Sequence, residues 1–211
     1  MQKDQAEPAG NVEEKQMKII GVTGGVGAGK STVLEILEKN YNAYVIQADQ
    51  VGHRVMEPGA CCYKPVIELF GEQVVKNDKT IDRKMISDVV FAKADMRKAL
   101  NGIIHPAVKQ IIQKKLEEKR QEGCPLFVVE AALLLEDHYD AFCDAVWYIY
   151  TEEAIRVHRL MVTRGYSMQK AQEIIASQAQ DAYFRAHADL VIDNSGNFAD
   201  TCRQIRQGMN I

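Results

Sequence analysis

No stretch of this sequence approaches the roughly twenty consecutive apolar residues that span a bilayer, so no segment is expected to enter a membrane. The stretch from Met1 to Gln16 is polar and carries no hydrophobic secretory segment; it reads as a disordered extension ahead of a folded unit, residues 17–211. Cysteine is sparse: five residues, an odd total, none in a C-x-x-C pair, which argues against a metal or redox role even for the adjacent Cys61 and Cys62. Reduced thiols in a cytoplasmic protein are the reading that remains. An excess of one charge is lacking too. The net is −3 and the pI near 6.0, so nothing draws the chain toward nucleic acid or anionic lipid, and any anion site has to be a local cluster. What is present is ordinary for a globular domain: 211 residues, 46% apolar and 26% charged, enough for one core with an appended lid or subdomain. A monomer or weak homo-oligomer is the expected form.

Against that plain background one stretch is unusual: Gly24-Gly25-Val26-Gly27-Ala28-Gly29-Lys30-Ser31-Thr32, set between the apolar run Ile19–Thr23 and the helical pattern Val33–Lys39. Gly24, Gly29, Lys30 and Ser31 satisfy G-x-x-x-x-G-K-[ST], the phosphate-binding loop. Glycines let the backbone curl until successive N–H groups point at a polyphosphate, and the helix after the loop adds unpaired amides and the positive end of its dipole. Residues Gly25 to Thr32 are therefore the candidate nucleotide cradle, with Lys30 reaching the β- and γ-phosphates and the Ser31 hydroxyl on Mg²⁺. The bland alternative is a glycine-rich turn with a solvated lysine. The strand before the loop and the helix after it favour the first reading.

The rest of the chain alternates strand and helix signals. Ala43–Ile46, Leu126–Val129, Ala145–Tyr150 and Leu190–Asn194 read as strands, and with Ile19–Thr23 they make five. Such alternation implies a three-layer α/β/α fold with a parallel sheet and its ligand at the carboxyl ends of the strands. Between them, about 50–104, lies an irregular insertion with a turn at Lys76–Lys79, and about 151–182 an arginine-rich lid segment. A long helix is expected to begin after Ile104-His105-Pro106, a second lid helix to run from Ser167 to Gln180, and a last helix to face the core through Phe198, Cys202, Ile205 and Met209.

Several side chains can carry chemistry. Asp49, directly after the second strand, either accepts the proton of an attacking hydroxyl (or holds Mg²⁺ through water) or caps the next helix. Glu130 ends a strand, where an acid either holds the metal's water shell or is merely solvated. Arg156, Arg159 and Arg164 form either a solvated basic face or a lid that neutralises a transferring phosphoryl, provided the helix ends between Arg159 and Arg164. His105 either binds a substrate or caps a helix start. Trp147 reads as core.

In these residues the chain resembles the dephospho-coenzyme A kinase family. The likeness rests on Gly21–Gly25 through Lys30-Ser31-Thr32, Ala48-Asp49, Glu57-Pro58-Gly59, Leu69-Phe70-Gly71, Ile81-Asp82-Arg83, His105-Pro106, Leu133–Glu136, Arg159-Leu160, and Ala188-Asp189 through Asn194. The resemblance implies a phosphate-loop kinase that moves the γ-phosphoryl of ATP, with Mg²⁺, to the ribose 3′-hydroxyl of dephospho-coenzyme A. It also implies a helical acceptor-binding insertion and a lid. It assigns Asp49 the base role, puts Arg83, His105, Glu136 and Arg164 on the acceptor side, Arg159 in the lid, and Asn194 near the ATP base. Three departures from the family pattern stand out: Gln47 where an acid is usual, Ala131-Ala132 where proline is usual, and Arg164 one position late. Two other readings remain open. One is a kinase of another small acceptor, such as a nucleoside or nucleotide. The other is a nucleotide-gated switch, although the guanine-reading N-K-x-D motif is missing.

Overall fold

The computed structural model describes residues 16–210. The expected extension, 1–16, falls outside them apart from Gln16. Five strands form one wholly parallel sheet: β1 (Lys18–Thr23), β2 (Ala43–Gln47), β3 (Leu126–Glu130), β4 (Ala145–Tyr150) and β5 (Leu190–Asp193), in the order β2-β3-β1-β4-β5. β3 is apolar along almost its whole length because it is covered on both faces, and alternate residues go to different layers. Leu126 and Val128 pack with Ile20, Val22, Ile149 and Ile192 against α1 (Lys30–Tyr41) and α9 (Phe198–Met209). Phe127 and Val129 pack with Ile19 and Ile46 on the opposite layer.

That opposite layer holds α2 (Ala48–Arg54), α3 (Tyr63–Phe70), α4 (Arg83–Ala92) and α5 (Ala94–Gln121). Its Val51, Val66, Ile86, Leu100 and Ile112 join the same core, as does Phe184 of α8 (Asp181–His187). A smaller cluster ties α6 (Glu153–Arg164) to α7 (Met168–Ala176) through Val157, Leu160, Ala171 and Ile175. Each fully buried aliphatic side chain adds about 1.5–3 kcal/mol over an exposed one, so both faces of the sheet are strongly held. Trp147 is 1% exposed, a core residue as expected. The register gathers the polar strand ends: Val22 and Gln47 both lie abreast of Glu130, so three strands finish together at one edge.

The insertion is more regular than its sequence suggests. α5 starts at Ala94, not after His105, and runs through Pro106. The bond that the missing proline N–H forfeits belongs to Gly102, whose surroundings are open, while Leu100 and Val108 on either side are buried. His105 therefore lies inside the helix and caps nothing. The Lys76–Lys79 turn forms as expected: the Lys79 amide donates to the Lys76 carbonyl at 2.9 Å, and Val75 bridges Ile81. The helix expected over Ser167–Gln180 is shorter: α7 stops at Ala176 and α8 begins only at Asp181, which leaves Gln178 in the turn between them. Phe198 departs as well. It is 62% exposed at the first position of α9, and the stripe that packs on the sheet starts with Thr201 and Ile205.

Candidate active site

The loop between β1 and α1 takes backbone angles that only glycine tolerates. Gly24 sits at φ +152, and a Cβ there would lie 2.6 Å from the Ile149 carbonyl oxygen. Gly29, at φ +84, would drive one to 2.3 Å from Asn194 Nδ2. Gly29 is also the N-cap of α1, supplies no side-chain cap, and is followed by a first turn free of acidic residues. An anion there meets amides and the positive helix end. Not every loop amide is available. The Ala28 amide donates to the Gly25 carbonyl at 3.1 Å, and that of Val26 to Gln178 Oε1 at 3.0 Å. Among the described residues the amides of Gly25, Gly27, Gly29, Lys30 and Ser31 have no protein acceptor.

The loop's carbonyls are pulled outward. Ala28 O accepts from Asn194 Nδ2 at 2.8 Å, from Thr151 Oγ1 at 2.9 Å and from Arg159 Nη1 at 3.2 Å. Arg159 Nη2 also donates to the Asn194 carbonyl at 2.9 Å, and Thr201 Oγ1 to Asn194 Oδ1 at 2.9 Å. Arg159 and Asn194 thus brace the back of the loop while also lining the cavity in front of it, which measures about 760 Å³. Gly25, Val26, Gly27, Gly29, Lys30, Ser31, Thr32, Asp49, Glu130 and Arg164 line the same cavity. Ala28 does not; it is buried behind. α6 runs on through Arg164, so Arg159 and Arg164 reach one cavity without the helix ending between them, contrary to the sequence expectation.

At the strand ends, Lys30 Nζ donates to the Gly24 carbonyl at 2.7 Å and lies 3.5 Å from Glu130 Oε1. Glu130 is 6% exposed, so the solvated alternative does not hold. Its other oxygen accepts from Gln47 Nε2 at 3.2 Å. Burial pushes the Glu130 carboxyl above its usual range; Lys30 opposes that shift and Asp49 adds to it. Asp49 occupies the first turn of α2. The N-cap there is Gln47, without a side-chain cap bond, so the alternative reading of Asp49 as a helix cap does not hold.

Asp49 faces two spaces. Beyond the loop cavity it lines a second, of about 310 Å³, with His53, Met56, His105, Asp137 and Tyr139. There His105 Nδ1 lies 3.1 Å from Asp137 Oδ1. The Asp137 carboxyl is pushed up by burial, with His105 and Lys109 opposing. A third cavity, about 270 Å³, shares His53 and Met56 with the second and adds Lys76 and Arg83. Burial and then Arg83 push the His53 imidazole down, and Asp49 opposes them. Glu136 is exposed and lines none of these spaces; the neighbouring Asp137 does. Asp137 and Gln178 are the residues the sequence did not single out. Neither belongs to a spaced motif, and each acquires its neighbours only through the fold.

A glycine-rich loop with free amides at the carboxyl ends of a parallel sheet, two arginines of α6 facing it and a carboxylate shared with a second chamber make the arrangement of a small-molecule kinase of the phosphate-loop class. The family model for dephospho-CoA kinase (CoaE) matches residues 18–200. The dephospho-CoA kinase of Geobacter sulfurreducens is 37% identical over 191 residues, covering 90% of this chain and 96% of that one. The solved dephospho-CoA kinase of Campylobacter jejuni superposes with a TM-score of 0.67 at 26% identity, over 91% of this chain and 95% of that one. The shikimate kinase of Acinetobacter baumannii shares the fold alone, with a TM-score of 0.54 at 15% identity over 93% and 94% of the two chains. The chain belongs to the dephospho-CoA kinase family, and so is an enzyme of coenzyme A biosynthesis.

Proposed function

We propose that the chain transfers the γ-phosphoryl group of ATP, bound with Mg²⁺, to the ribose 3′-hydroxyl of dephospho-CoA, giving CoA and ADP. The observation that carries this reading is the position of Asp49, on the wall between the phosphate-loop cavity and the chamber of His105 and Asp137. An alcohol entering from the second chamber and a triphosphate in the first meet at that carboxylate. Phosphoryl transfer asks the protein mainly to align the reactants and neutralise charge. Asp49 accepts the hydroxyl proton. Lys30, Arg159 and Arg164 balance the charge on the phosphate oxygens, and Asn194 and Phe198 lie where the base of ATP would rest. The linked cavities suit a long acceptor: the adenosine beside His105, and its diphosphate toward Lys76 and Arg83.

The residues present fit Mg²⁺. Among the described residues no group of three His, Cys, Asp or Glu side chains could hold a metal alone. Mg²⁺ in such sites keeps waters and phosphate oxygens and takes only one or two protein ligands. The Ser31 hydroxyl and the Glu130 carboxylate, at the mouth of the loop, are those groups here. When bound, the ion would neutralise charge on the β- and γ-phosphates. Residues 50–104 serve in this reading as the acceptor insertion and 151–182 as the lid. Five free thiols fit the reducing cytoplasm. Among the described residues no helix is long and apolar enough to cross a membrane.

The test is an acceptor panel with ATP and Mg²⁺, the product identified by ³¹P NMR. A ribose 3′-phosphomonoester on dephospho-CoA, with little turnover of nucleosides or nucleoside monophosphates, is the expected result. ADP formation independent of any acceptor, or preferential phosphorylation of a nucleoside, overturns it.

A further inference from the structure

Gln178 stands in the turn between α7 and α8, half-buried between the exposed residues Ser177 and Ala179. Its side chain reaches the phosphate loop. Oε1 accepts from the Val26 amide at 3.0 Å and from Arg156 Nη2 at 2.7 Å, while Arg156 Nε donates to the Val26 carbonyl at 2.9 Å. Both groups facing Oε1 are donors with no accepting capacity, so the atom there has to be the amide oxygen and the orientation of the amide is fixed by chemistry. The NH₂ group is then committed to the other side. Gln178 lines the 760 Å³ cavity, and among the described residues its Nε2 has no hydrogen-bond partner. A half-buried amide with its oxygen doubly bonded and its nitrogen left over is arranged to donate to something that comes from outside the chain.

The position along the loop narrows the choice. Ala28 and Gly29 are braced by Arg159 and Asn194, on the side of Gly196 and Phe198. The opposite end, Gly24 to Val26, is where Lys30 Nζ rests on the Gly24 carbonyl and where Arg156 and Gln178 close in. Because that lysine is the group that reaches the β- and γ-phosphates, the Val26 end is the end of the terminal phosphoryl. We infer that Gln178 Nε2 donates a hydrogen bond to an oxygen of the terminal phosphoryl group of the bound triphosphate, making Gln178 a catalytic residue supplied by the lid. The inference rests on the proposed ATP-dependent transfer. During transfer the acceptor oxygen forms the new P–O bond, the bond to the β-phosphate oxygen breaks, ADP leaves with that electron pair, and the proton goes to Asp49. Gln178 gives up no atom; it holds an oxygen whose charge changes as the group moves.

Gln178→Glu separates this role from a purely structural one. The carboxylate keeps an acceptor for the Val26 amide and for Arg156, so the latch between lid and loop survives, but the cavity-facing donor becomes a negative oxygen. The expected result is an unchanged melting temperature, ADP affinity within about threefold of wild type, and ATP affinity and kcat each lower by about 10²-fold or more. Isothermal titration with ADP and with a non-hydrolysable ATP analogue, beside steady-state kinetics, reads all three. In wild-type protein the assigned Gln178 side-chain amide resonances should also shift with the ATP analogue and not with ADP, a measurement that stands even if the variant fails to fold. Wild-type selectivity for ATP over ADP that Gln178→Glu retains, or amide resonances indifferent to the analogue, overturns the role of Gln178 alone. A wild type that binds no nucleoside triphosphate overturns the donor reading and this inference together.

Discussion

Lys30 is held at two points before any ligand arrives, by the Gly24 carbonyl at 2.7 Å and by Glu130 at 3.5 Å. Both are contacts that a phosphate oxygen can replace, so in the proposed transfer the ammonium needs only to exchange partners. Replacing Lys30 with alanine should lower kcat severely while leaving the circular dichroism spectrum intact; near-normal turnover would remove it from the site. Asp49 makes a different case. It caps nothing, yet it stands between two cavities, where the proposed transfer has it accept one proton. Asp49→Asn should lose on the order of 10²–10⁴-fold in kcat with stability unchanged. A loss below tenfold would leave the carboxylate a bystander on the wall. At this scale the sequence is most legible where the chemistry is local. Gly24, Gly29, Lys30 and Ser31 announce the loop because their spacing is the mechanism. Asp137 and Gln178 announce nothing, because their partners His105 and Val26 are distant in the chain and are brought to them only by α5 and by the turn between α7 and α8.

The same division recurs among the elements. The five strands are readable because each is a short apolar run bounded by turns, and helices separate all of them in sequence except β3 and β4, which a turn-rich stretch joins. The start of α5 is hidden because Pro106 looks like a start signal, and only the packing of Leu100 and Val108 on one core reveals that the helix passes through it. The break after Ala176 is equally invisible, since Ser177 and Gln178 are acceptable inside a helix. One element boundary has a functional consequence that can be measured. Asp82 caps α4, its carboxylate accepting from the Lys84 amide at 3.0 Å and the Met85 amide at 3.1 Å, and so fixes the turn on which Arg83 enters the third cavity. Asp82→Ala should cost about 1 kcal/mol in urea denaturation. Because α4 frays from that end, it should also raise KM for dephospho-CoA more than it lowers kcat. An effect on kcat alone would mean that Arg83 does not hold the acceptor.

Considered whole, the molecule has its thiols and carboxylates sorted by burial. The Cys62 thiol is pushed up to about 11 and that of Cys143 to about 12, burial first in both, while Cys61 is exposed. A thiol reagent at neutral pH should therefore label Cys61 long before either of the other two. The carboxylates make the global pH response. Glu130 and Asp137 are both shifted upward, chiefly by burial, although Lys30 and His105 pull the other way. A carboxyl whose folded value lies above its unfolded one binds more proton in the native state across the interval between the two. Unfolding then releases protons, and stability falls as pH rises through that interval. For Glu130 the interval opens at its ordinary value of 4.5 and extends upward from there. Glu130→Gln cannot titrate, so its stability relative to wild type should be flat below the interval, should climb through it, and should level off above. Urea denaturation of both proteins across the acid to neutral range reads that difference directly. A flat difference would mean that Lys30 just offsets the burial of Glu130, and one that falls with rising pH would mean that Lys30 outweighs it and that the strand-end pair is a net stabilising ion pair.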